Sequence, residues 1–158
     1  MKLAITLIAA LAASVPAVTL TGDKALVIGA NEVQAQLVQL APDAAAKGSS
    51  GSKLAVSSGN LASVGLSVRT VSGGGEVHQH FDDLMIVQQG SATLVTGGSL
   101  VDPKTGSDGE IKGTSVQNGI SRTITVGDTV IVPAGVPHQL LIPAGITYSA
   151  MVAKIKEP

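Results

Sequence analysis

Gly73-Gly74-Gly75-Glu76-Val77-His78-Gln79-His80-Phe81-Asp82-Asp83-Leu84-Met85-Ile86-Val87-Gln88-Gln89-Gly90 decides how the chain is read. Its two histidines stand two residues apart in what the pattern predicts to be a β-strand. Side chains on a strand alternate faces, so His78 and His80 share one face and Gln79 takes the other. Two acids follow, then an apolar run, then a glycine that can turn the chain. The third histidine, His138, lies in a second turn-rich stretch. All three therefore fall in two short segments, which points to one site.

The second segment is Gly127-Asp128-Thr129-Val130-Ile131-Val132-Pro133-Ala134-Gly135-Val136-Pro137-His138, which spells G-x5-P-x-G-x2-H. A Gly-Asp turn enters an apolar strand, Pro133 ends its ladder pairing, and Gly135 permits a tight reversal. His138 then begins the returning strand.

Together the two segments resemble the cupin superfamily, whose motifs are G-x5-H-x-H-x3/4-E-x6-G and G-x5-P-x-G-x2-H-x3-N. Gly127, Pro133, Gly135 and His138 match the second motif, and His78, His80 and Gly90 match the first. Asp83 stands at the glutamate position. The resemblance covers roughly residues 54 to 155. It implies an all-β fold, a double-stranded β-helix or jelly-roll barrel, preceded here by a short N-terminal helix. It also implies a divalent transition metal (Fe, Mn, Zn, Ni or Cu) held by His78, His80, Asp83 and His138. Three departures bear on that set. Asp83 is one methylene shorter than glutamate, only two residues separate it from His80, and Ile142 stands where the motif has asparagine. Asp82, which shares His80's face on a regular strand, competes with Asp83 as a ligand.

Working outward, Asn31 is read as the N-cap of a short helix whose apolar positions Val33, Leu37 and Leu40 recur at helical spacing and which Pro42 stops. Ala44 to Lys53 reads as a flexible loop. Leu54 to Ser57 and Leu61 to Val71 read as strands joined by a turn at Gly59-Asn60. Leu84 to Gln88 and Ser91 to Thr96 flank Gly90 like a hairpin. Gly97 to Gly119 reads as a long loop with a short strand near Glu110 to Ser115. Further strands are expected at Ser121 to Val126, Asp128 to Val132, Gln139 to Ile142 and Thr147 to Ile155. So many short strands favour a sandwich or barrel. Within them, the fork of Arg69 suits a substrate carboxylate, but Arg69 is read as a solvated strand-edge residue, Glu76 as solvated, and Tyr148 as placing its hydroxyl at the rim rather than donating to a substrate. Gln139 is read as facing outward, and Met85 and Phe81 as core or pocket lining.

The 158 residues fit one domain, with a net charge of −1, no cysteine and only one Phe and one Tyr. No basic cluster or aromatic platform is present for nucleic acid. Residues 1–17 have the three-part pattern of a secretory signal: Met1-Lys2, an apolar run from Leu3 to Ala13, and small residues at Val15-Pro16-Ala17. The expected organisation is a signal peptide over 1–17, an N-terminal arm with the helix over 18–53, and the barrel over 54–158. A periplasmic or secreted location follows, with no membrane attachment after cleavage. The expected function is a metal-dependent enzyme on a small organic molecule, of oxygenase or isomerase type, with no catalytic residue assignable. The alternative is a non-catalytic periplasmic binding or sensing module. Association into a homodimer is compatible with either.

Overall fold

A computed structural model describes residues 16–20 and 25–158; the body of the expected signal peptide, residues 1–15, lies outside the described residues. Among the described residues the strands are β1 (Val18–Leu20), β2 (Ser49–Ser57), β3 (Ala62–Arg69), β4 (Gly75–His78), β5 (Phe81–Gln89), β6 (Ser91–Thr96) and β7 (Ser99–Val101). They continue as β8 (Lys104–Thr105), β9 (Glu110–Gly113), β10 (Ser115–Gln117), β11 (Ile120–Thr125), β12 (Thr129–Val132), β13 (His138–Leu141) and β14 (Tyr148–Lys156). Among the described residues one helix, α1 (Ala30–Lys47), precedes β2.

Two six-stranded sheets face each other, ordered β1-β2-β3-β14-β5-β12 and β11-β6-β13-β4-β9-β8, with β10-β7 as a separate pair. Met85, Val87, Ala92, Leu94, Ile124 and Val132 fill the space between the sheets at one end. A second core lies outside the first sheet, where Val33, Leu37 and Ala44 of α1 cover Leu54, Leu66 and Val68. On β3 the alternation is functional: Leu66 and Val68 are buried, while Ser67 and Arg69 line the inter-sheet cavity.

The structure corrects several local readings. The helix starts one residue before Asn31, with the carbonyl of Gly29 accepting from Glu32 and Val33. It also runs through Pro42 to Lys47, although an interior proline costs ~3 kcal/mol. Ala44 is fully buried against the sheet, so packing outweighs that cost. Gly48 then ends the helix at φ 86°, its N–H bonded to Ala44 O at 2.8 Å. The stretch expected to be a loop from Ala44 to Lys53 is thus the end of α1 and the start of β2. Nor is Gly90 the tip of a hairpin. β5 pairs with β14 and β12, whereas β6 pairs with β11 and β13, so Gly90 carries the chain from one sheet to the other. Its φ is 70°, and a Cβ there would lie 2.3 Å from Thr147 O. Only glycine meets both conditions.

Candidate metal centre

Glu76 and His78 are two apart on β4 and so share its cavity face. β4 ends at His78; Gln79 and His80 form a bend that carries the chain across to β5. His80 is exposed there rather than sharing a strand face with His78. Its backbone accepts from Glu157 at 2.9 Å, which fixes the bend. Beyond it, Asp83 points inward with Met85 and Val87, all three buried. Asp82 points the other way, its Oδ1 accepting from Ala134 N at 2.7 Å.

That last bond helps the β12–β5 ladder fasten the second motif to the first, as does one more at the turn. It runs from Gly135 N–H to His78 O at 2.9 Å, with Gly135 at φ 78°. The turn delivers His138 as the first residue of β13, paired with Glu76 on β4. The imidazoles of His78 and His138 stand with ring centroids 5.1 Å apart although the residues are sixty positions apart in sequence.

Three residues offer ligand atoms all within 4.8 Å of one another: Glu76, His78 and His138. Asp83 completes the cluster, its Oδ2 3.2 Å from His78 Nε2 and 3.8 Å from His138 Nε2. Glu76 Oε2 is 3.8 Å from His78 Nε2. Both rings are held from behind. His78 Nδ1 donates to Glu110 Oε1 at 2.7 Å, and His138 Nδ1 donates to Val136 O at 3.1 Å. A carboxylate and a carbonyl can only accept, so each ring is left with Nε2 directed to the shared centre. Carboxylate or carbonyl support of this kind orients a metal-binding imidazole and raises its basicity.

The charges are arranged around Asp83. Burial disfavours its ionised form, but hydrogen bonds from His78 and Lys154 and their positive charges outweigh this and lower its pKa. Lys154 Nζ lies 2.9 Å from Asp83 Oδ1. Burial alone would lower His78, yet the Asp83 hydrogen bond and charge raise it. His138 is lowered, because burial dominates and no partner compensates fully.

Of the expected ligands, the structure brings together His78, Asp83 and His138, and leaves His80 outside. Glu76, read as solvated, takes its place. The first motif held the signal: Glu76-x-His78-x4-Asp83-x6-Gly90 fits its spacing with glutamate at the first histidine position. The short gap between His80 and Asp83 marked the misplaced register. Glu110 and Lys154 had no sequence signal, since both arrive by sheet pairing. Three other readings are corrected. Gln139 is buried, donating to Gly73 O at 2.8 Å and accepting from Val116 N at 3.0 Å. Tyr148 is fully buried rather than at a rim. Arg69 is mostly covered and sits 3.9 Å from Glu76. All three line a cavity of about 690 Å³ that includes the histidine cluster.

No protein-family model and no curated protein sequence matches the chain. Solved structures do share its fold. A protein from Bacillus halodurans aligns with a TM-score of 0.51 at 16% identity, over 67% of this chain and 69% of its own. A Klebsiella pneumoniae protein with a double-stranded beta-helix domain aligns at 0.51 and 17%, over 70% of this chain and 78% of its own. The fold is a double-stranded β-helix.

Proposed function

We propose that the chain is an exported cupin-type protein that holds a divalent transition metal on His78, His138 and Glu76, with Asp83 at the same centre, and that it acts on a small organic molecule. The orientation of the two imidazoles carries this reading: both present Nε2 to one point while their Nδ1 atoms are held by fixed acceptors. Two histidines and a carboxylate with open positions are the donor set of non-haem iron oxygenases, which favours an oxygenase. A bound ion would supply coordination positions for substrate and O₂, or a Lewis acid. Glu110 fixes His78, Val136 fixes His138, and the facing sheets keep the centre away from bulk water. The three-part pattern of residues 1–17, with its apolar run from Leu3 to Ala13, supports export. Cleavage after Ala17 would leave β1 whole on its partner β2.

One observation favours a second reading, a metal-free binding module. Lys154, Asp83, His78 and Glu110 form a continuous hydrogen-bonded chain whose charges already balance. Elemental analysis of protein recovered from the exported fraction separates the two. Stoichiometric iron, manganese or another transition ion that disappears in His78→Ala and His138→Ala supports the metal centre. Metal content below a tenth of the protein, even after incubation with each ion, would leave the binding module.

A further inference from the structure

A second polar cluster lies in the same cavity, on the facing sheet. Arg69 and Tyr148 are register partners on β3 and β14, so their side chains project from the same face. Both line the cavity. The Nε of Arg69 and the hydroxyl of Tyr148 are buried and reach no hydrogen-bond partner among the described residues. Arg69 is also confined. Its Nη1 packs so close to Gly73 that a Cβ there would approach it to 2.9 Å, and Gln139 pins Gly73 by its carbonyl. Among the described residues its only ion-pair contact is the long one from Nη2 to Glu76, at 3.9 Å. Two buried donors without acceptors, side by side in a cavity, are costly unless an acceptor arrives.

We propose that Arg69 and Tyr148 form the recognition site for the carboxylate of an organic acid. The guanidinium fork matches a carboxylate, and the phenol adds a further donor to it. The cavity holds Lys53, Arg69, Lys112 and Lys154 against Glu76, Asp83, Asp108 and Glu110. Lys154 is engaged by Asp83, so Arg69, half-buried and with its Nε fully covered, is the cation left for an anion. The same placement selects which acid. Glu76 stands between the two clusters, one oxygen 3.9 Å from Arg69 and the other 3.8 Å from His78, so a short acid can bridge them. An acid with a hydroxyl or keto oxygen on the carbon next to its carboxylate would therefore touch Arg69 with one end and the histidine cluster with the other. The remaining cavity volume leaves room for a substituent as large as a phenyl ring. This deepens the metal-centre reading and rests on it only for the second oxygen.

Mandelate, a 2-hydroxy acid, and mandelamide, its neutral isostere, are the probes, titrated calorimetrically into zinc-loaded and metal-free protein. Mandelate should bind, and mandelamide should bind at least about tenfold more weakly. Arg69→Gln should lose about tenfold or more. Tyr148→Phe should weaken mandelate by about three- to tenfold while its unfolding temperature stays level or rises, since it deletes an unpartnered buried hydroxyl. A purely structural tyrosine would not separate affinity from stability in that way. Equal affinity for the acid and the amide, no mandelate binding at all, or native affinity in both variants overturns the proposal. Arg69-dependent mandelate binding in a protein that takes up no zinc would support the carboxylate site and remove the metal centre instead.

Discussion

Glu110 accepts from His78 Nδ1 at 2.7 Å, and the two residues are register partners across β4 and β9. A carboxylate in that position sets the tautomer of the ring and the direction of Nε2. Glu110→Gln keeps the shape but weakens the acceptor, and Glu110→Ala removes it. We expect metal affinity to fall by about 10- to 100-fold in the alanine variant and less in the glutamine variant, as measured by competition with a chromogenic chelator. Native affinity in Glu110→Ala would show that the ring needs no such support.

His80 offers the complementary comparison. It sits exposed on the bend after β4, while Glu76 faces the cavity. His80→Ala should therefore leave metal affinity within about twofold, whereas His78→Ala and His138→Ala should reduce it by a hundredfold or more. Glu76→Gln should fall between. A loss in His80→Ala equal to that in His78→Ala would restore His80 to the ligand set.

That comparison also marks where sequence is informative and where it is not. The barrel and the meeting of His138 with His78 were legible because the turns need particular residues: Gly127, Pro133 and Gly135 have backbone roles that fix where His138 emerges. The first motif was misread by two residues because alternation was continued through Gln79 and His80, where the chain leaves one sheet for the other. Period-2 reasoning holds only while a strand stays in its ladder. Glu110, Lys154 and the Arg69–Tyr148 pair were not legible, because each is placed by long-range pairing. α1 passes Pro42 for the same kind of reason, with burial of Ala44 overriding a local stop signal.

The metal-free protein should show two opposed pH dependences. His78 is raised above 6.5, so its folded-state proton stabilises fully below that value, and the contribution is lost as pH rises through the folded pKa. His138 is lowered below 6.5, so its contribution is present above that value and is lost as pH falls through the folded pKa. The slopes partly cancel around neutrality. His138→Ala should leave a stability that falls as pH rises past 6.5, and His78→Ala one that falls as pH drops below it. Chemical denaturation across this range measures both. Slopes of the same sign would contradict the assignment.

Gly90 tests the crossing between sheets. A side chain there meets positive φ and a backbone oxygen at once, whereas Gly127, at φ 90°, has nothing within 4 Å of its missing Cβ. Gly127→Ala should cost about 1–2 kcal/mol for the left-handed backbone alone. Gly90→Ala should exceed that by about 1–3 kcal/mol, because Thr147 must move to relieve overpacking. Denaturant midpoints for the pair would show equal losses if the close approach were relieved without cost.

Asp82 and Asp83 are neighbours with opposite duties. Asp82 Oδ1 caps Ala134 N–H in the turn that delivers His138, while Asp83 joins His78, His138 and Lys154. Asp82→Asn retains an acceptor and should cost under about 1 kcal/mol, with metal affinity little changed. Asp82→Ala leaves Ala134 N–H without that partner and should cost about 1–2 kcal/mol. Asp83→Asn keeps its volume but removes the charge facing two imidazoles and a lysine. Since Asp83 is buried, we expect it to lower metal affinity by tenfold or more and to destabilise the metal-free protein beyond either Asp82 variant. The two readouts must separate: a metal loss in Asp82→Asn as large as in Asp83→Asn would mean that the turn, rather than the inward carboxylate, controls the centre.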